Sequence, residues 1–92
     1  MKAIFEFSRT RKYPVKSHDI NRYFSYDINR WKVLDILREQ LNVSLYIVIW
    51  SSDERIVKLH KLWDVKESAL DYESTELLTD KQLVPRFGRI VK

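Results

Sequence analysis

Apolar and polar residues alternate at the start of the chain. Ala3, Phe5 and Phe7 alternate with Lys2, Glu6 and Ser8, and Ile4 is the exception. A period of two with aromatic enrichment predicts a first strand over 2–8. Residues 9–18 then carry Arg9, Arg11, Lys12 and Lys16 around Pro14. Dense like charge and a proline predict a loop. From 27 to 41 the period lengthens. Ile28, Trp31, Leu34, Leu37 and Leu41 recur every three or four residues, Val33 and Ile36 widen the stripe, and no glycine or proline interrupts it. This predicts a helix with Ser25 or Asp27 as N-cap and Asn42 as a left-handed terminator. Residues 43–50, Val-Ser-Leu-Tyr-Ile-Val-Ile-Trp, are β-branched and aromatic and predict a strand. A turn at 51–54 leads to a hairpin partner over 55–63. Residues 67–79 suggest a weaker helix, with Ala69, Leu70, Tyr72, Leu77 and Leu78 as apolar members and Ser74 and Thr75 as a break. A last strand is expected over 83–91. Pro85 confines it to a sheet edge or begins it, and Gly88 marks a bulge.

The order strand, helix, strand, strand, helix, strand predicts an α+β chain of ferredoxin-like βαββαβ topology. Such a sandwich has an antiparallel four-stranded sheet with both helices on one face. The length fits one domain over 1–92. In that topology the second and last strands are the edges. An open second-strand edge predicts pairing between copies, hence a homodimer.

Register follows from asking for one coherent apolar face. Ser51 opposite Arg55 places Val43, Leu45, Ile47 and Ile49 with Val57, Leu59 and Trp63 as a core face. The open face then holds Ser44, Tyr46, Val48 and Trp50 with Ile56, Lys58, His60 and Leu62. The tighter turn, with Trp50 opposite Arg55, mixes Lys58 and His60 into the core and is disfavoured. Rings beside cations suit a single-stranded nucleic acid, whose bases stack and whose phosphates seek positive charge. The competing reading is packing of the same face under a loop or a second subunit. RNA-recognition domains of this topology carry a Lys/Arg-Gly-aromatic motif on the third strand. Here that strand reads Arg55-Ile56-Val57-Lys58-Leu59-His60, so the resemblance ends at topology.

Charge sharpens this picture. The formal net charge of +4 is built from unequal blocks: residues 1–63 carry +5, residues 64–80 carry −5, and residues 81–92 carry +4. If the last strand lies beside the first, the loop cations Arg9, Arg11, Lys12 and Lys16 join Arg86, Arg89 and Lys92 in one phosphate-binding patch. The acidic block is the alternative partner for those cations.

Composition removes other chemistries. With no cysteine, disulfide scaffolds, cysteine-ligated zinc and thiol catalysis are excluded. A single glycine excludes glycine-rich phosphate loops. The longest apolar run, 45–50, is far short of the roughly 20 residues that span a membrane. Glu6 and the basic segment occupy the place of a signal peptide's apolar core, so a cytoplasmic location is expected. No cofactor is implied, and the acids of 64–80 lack a calcium-loop pattern, so no metal site is expected. Two histidines stand without a motif. His60 with Lys58 and Tyr46 is the one candidate acid/base set, of the kind a small ribonuclease needs. A tandem echo, Ser17-His-Asp-Ile-Asn-Arg-Tyr23 and Ser25-Tyr-Asp-Ile-Asn-Arg-Trp31, reads as two successive helix starts.

The expectation is therefore a non-enzymatic nucleic-acid-binding module. Its site residues are Arg9, Arg11, Lys12, Lys16, Tyr46, Trp50, Lys58, His60, Arg86 and Arg89. Two alternatives stand: a protein-interaction module that binds and blocks an acidic partner surface, and a small ribonuclease.

Overall fold

The computed structural model describes residues 3–12 and 14–91. Lys2, expected in the first strand, and Lys92, expected in the basic tail, lie outside the described residues. The chain runs through β1 (Ala3–Arg9), a single 3-10 turn (Val15–Ser17), a 3-10 helix (Ile20–Tyr26), α1 (Ile28–Leu41), β2 (Ser44–Trp50), β3 (Ile56–Val65), β4 (Leu70–Thr79) and α2 (Asp80–Ile90). The strands form one sheet in the order β1-β2-β3-β4. β1 and β2 are parallel; the other two pairs are antiparallel. This is an α+β chain with a four-stranded mixed sheet and two helices.

The ferredoxin-like expectation holds only at that coarser level. The β1–α1–β2 crossover makes neighbouring parallel strands, so the sheet is not wholly antiparallel. The helices cover opposite faces. β2 is an interior strand and β1 and β4 are the edges, which removes the second-strand edge as a dimer contact.

β2 explains the two-sided architecture. Its residues Leu45 to Ile49 are apolar or aromatic at consecutive positions, and all are buried, at 0–6% exposure. A strand that is apolar on both faces needs cover on both. On one face Leu45, Ile47 and Ile49 pack with Trp31 of α1 and with Ile20 and Phe24 of the 3-10 helix. On the other, Tyr46 and Val48 pack with Ala3 and Leu59, and Phe5, Phe87 and Ile90 close over them. α2 thus takes the face that was expected to stay open.

The last two elements exchange types. Residues 70–79 were expected to be helical, yet they pair with β3 as β4. Tyr72, Thr75 and Thr79 favour strand, and Leu70 and Tyr72 sit on the α1 face with Leu62 as a cross-strand partner. Residues 80–90 were expected to be a strand and form α2 instead. Thr79 and Gln82 make a reciprocal capping box, Asp80 lies in the first turn, and Arg89 lies in the last. Leu83, Phe87 and Ile90 supply the helical spacing. Pro85 misled the sequence reading. Inside α2 it only forgoes one bond to the Lys81 carbonyl.

The hairpin register also departs from expectation by one residue. Ile47 faces His60 and Ile49 faces Lys58, so both polar residues lie on the α1 face with the core. Val57 and Leu59 turn to the α2 face. Irregularities flanking Leu62 rotate Trp63 outward to 61% exposure, whereas it was expected in the core.

The tandem echo is resolved as two helix starts. Asp19 caps the 3-10 helix by accepting from Asn21 N at 3.0 Å. Eight residues on, Asp27 takes the N-cap position of α1. The copies then diverge. Asn21 clamps the start of β4, donating to Leu70 O at 3.2 Å and accepting from Leu70 N at 2.8 Å, whereas Asn29 is exposed. At its other end α1 closes on Asn42 in the left-handed region at φ 53°.

Gly88 marks no bulge. It sits in the last turns of α2, and a Cβ placed there meets nothing within 4 Å. Gly88→Ala should therefore stabilise the fold by about 0.5–1 kcal/mol, by reducing unfolded-state entropy. A urea midpoint raised without a change in slope is the expected result.

Candidate nucleic-acid interface

The basic segment after β1 is ordered, because every few residues it is tied down. Thr10 N donates to Trp50 O at 2.8 Å, extending the parallel pairing by one residue. Val15 is wholly buried, and its N–H donates to the Glu54 carboxylate at 2.8 Å. Lys58 Nζ donates to His18 O at 2.7 Å. Thr10, Val15 and His18 point inward, and the intervening Arg11, Lys12 and Lys16 are exposed. The expected loop over 9–18 is thus a braced segment that presents cations.

Arg9 ends β1. Its guanidinium lies 5.4 Å from the centroid of the Trp50 ring and donates to Ser52 Oγ at 2.8 Å. The parallel register places Phe7 on the same face one pair earlier, and Phe7 is 55% exposed. Because β1 is an edge strand, this aromatic and cationic surface continues round the sheet end. There Ser8, Arg9, Thr10, Arg11, Lys12 and Asp27 line a cleft of about 290 Å³. The cleft sits at the carboxyl ends of the parallel pair, where open sheets commonly take ligands. Asp27 is the one carboxylate lining it.

The other expected site residues are dispersed. Tyr46 is buried beneath α2, stacked on Phe5 at 5.5 Å between centroids, and offers no platform. Arg86 is held by the Glu76 carboxylate at 2.9–3.1 Å, which raises its pKa. Arg89 is exposed near the end of α2. That helix begins at the loop end of the sheet, where Asp80 N donates to Arg55 O at 3.0 Å, and runs back about 16 Å. Arg86 and Arg89 therefore do not join Arg11 and Lys12 in one patch. Nor does the acidic block sit on the loop. Its ion pairs run to Arg55, Lys61, Lys66 and Arg86, and its strand β4 lies three strand spacings, about 14 Å, from β1. Phe7 was missed because its alternation with Glu6 and Ser8 resembles that of a core residue. Only its position on an uncovered edge makes it accessible.

Lys58 and His60 are buried on the α1 face, opposite Tyr46, so the expected acid/base set is not assembled. His60 Nδ1 hydrogen-bonds with Thr75 Oγ1 at 2.8 Å, and its ring stacks on Tyr72 at 3.9 Å with 7° between planes. Burial, and then the Lys58 charge, lower the His60 pKa to about 4. Burial likewise lowers that of His18 and raises that of Tyr72. Lys58 is lowered by burial against the opposing pull of Asp19. Among the described residues no group of acidic or histidine side chains is arranged to hold a metal ion, and no helix is long and apolar enough to cross a membrane.

No protein-family model, curated protein or solved structure matches the chain. The site is read from its own geometry.

The histidine environment dictates a pH response. The folded pKa of His60 lies at about 4, below its ordinary 6.5. The unfolded chain therefore takes up the proton first as pH falls. Stability from this residue is complete above pH 6.5 and is lost progressively toward pH 4, by on the order of 3 kcal/mol. Urea midpoints measured from pH 7.5 to 4.5 should fall. His60→Phe, which keeps the stack on Tyr72, should flatten most of that slope.

Proposed function

We propose that the chain is a nucleic-acid-binding module that takes a single strand along the β1 edge. Bases stack on Trp50 and Phe7, and Arg9, Arg11 and Lys12 hold the phosphates. The observation that carries this reading is the Arg9–Trp50 pair at 5.4 Å beside the exposed Phe7, at the mouth of the cationic cleft. Rings and cations in one contiguous surface are what sequence-tolerant strand binding uses. The bracing of the segment through Thr10, Val15 and His18 supports the reading too. Ordering of the cations has been met in folding and is not charged against binding. Trp50 and the loop cations keep the roles expected from sequence. Tyr46, Lys58, His60 and Arg86 drop out, since each is committed inside the fold, and Arg89 and Lys16 make no part of the edge surface.

The reading is tested by anisotropy with a labelled random 12-mer. Three phosphate contacts imply a log–log salt slope of about −2, and Arg11→Gln or Lys12→Gln should each lower it by about 0.7. Phe7→Ala and Trp50→Ala should each weaken binding roughly 5- to 100-fold, from about 1–3 kcal/mol of stacking per base. Asp27→Asn should strengthen it. The Asp27 side chain makes no capping bond that this change would lose. Absence of binding at low salt, or binding indifferent to Phe7 and Arg11, would overturn the reading.

A further inference from the structure

The outer face of α1 is apolar and faces solvent. The inner face is occupied by Ile28, Trp31 and Leu34, together with Asp35 and Arg38, which pair with one another. On the outer side Val33 is 56% exposed, Ile36 54%, Leu37 40% and Leu41 53%. A surface helix ordinarily places charged and polar residues there.

The pattern within this face says what covers it. Asn29, Val33, Ile36 and Gln40 follow one another at spacings of four, three and four. These are alternating d and a positions of a coiled-coil heptad, with Leu37 alongside. The apolar pair lies at the centre and an amide side chain at each end. Lys32 and Glu39 flank the stripe on one side, are exposed, and form no ion pair among the described residues. This arrangement is complementary to its own inverse. If a second copy is turned antiparallel, Val33 faces the partner's Ile36, Asn29 faces the partner's Gln40, and Lys32 comes beside the partner's Glu39. Each contact occurs twice. A parallel copy brings no opposite charges together, because Leu37 then stands across from Lys32. Antiparallel pairing also opposes the two helix dipoles favourably.

We propose that the chain forms a symmetric dimer through antiparallel pairing of α1 with the α1 of a second copy. The 14 residues of α1 span about 21 Å. Pairing over that length, with Leu37 and Leu41 added, covers on the order of 1,000 Å² over both copies, the low end for a specific interface. A micromolar dimer is therefore expected. The inference stands apart from the nucleic-acid reading, because it uses α1's outer face and no residue of the β1 edge surface.

Sedimentation velocity from about 5 to about 500 µM tests it. The wild-type chain should pass from monomer to dimer in that range. Ile36→Lys should stay monomeric throughout with an unchanged far-ultraviolet spectrum, since the site is exposed and not part of the core. Lys32→Glu and Glu39→Lys should each weaken self-association at least tenfold, and an equimolar mixture of the two should restore it as a heterodimer. A wild-type chain that remains monomeric at about 500 µM would overturn the proposal. So would a dimer untouched by Ile36→Lys, a mixture no more associated than its components, or stoichiometric binding of a different protein by a monomeric chain through this stripe.

Discussion

Strand β2 is the constraint on which the rest depends. Five consecutive residues, Leu45 to Ile49, are buried from both sides. An antiparallel sheet with one wet face has no place for such a strand. The chain must bring a helix to each face, which it does with α1 and the 3-10 helix on one side and α2 on the other. β2 must also be interior to the sheet, and the parallel β1 and antiparallel β3 make it so. The edges are thereby left to β1 and β4, whose residues are more polar and partly exposed.

Burial on the α1 face is not purely apolar, and this links the core to the proposed site. Lys58 and His60 enter the core layer because of the hairpin register, and each finds a partner there. Lys58 spends its charge on the His18 carbonyl and His60 on Thr75. An unpaired buried cation would be strongly destabilising. The Lys58 contact offsets that cost and at the same time fastens the segment that displays Arg11 and Lys12. The same residue that looked like a surface ligand thus holds the ligand-bearing segment in place from beneath.

Several features were legible in the residues alone. The first strand, the long helix with Asn42 as its stop, the hairpin and the two successive caps all appear where period and capping chemistry put them. The misreadings share a cause. At 67–79 the apolar residues Leu70, Tyr72, Leu77 and Leu78 satisfy neither period cleanly, because irregularities beside Leu62 shift the alternation midway. At 80–90 Pro85 and Gly88 outweighed the Thr79–Gln82 capping box, although a proline on an exposed helix face costs a single bond. Half of the candidate site survived for a related reason. Exposed cations on the loop are cationic wherever the sheet lies, but Tyr46, Lys58 and His60 depend on which face each strand turns to the core.

The amino-acid sequence by itself determined the local elements with strong period, the separation of charge into blocks, and the absence of thiol and glycine-loop chemistry. These depend on neighbours within a few residues, or on composition. Tertiary structure decided the hairpin register, the sheet order, the covering of the second face by α2, and the meeting of Phe7, Arg9 and Trp50 at one edge. The physical reason lies in β2. A strand apolar on both faces gives no hydrophobic preference between registers one residue apart, so the choice passes to distant contacts such as Lys58 with His18 and His60 with Thr75.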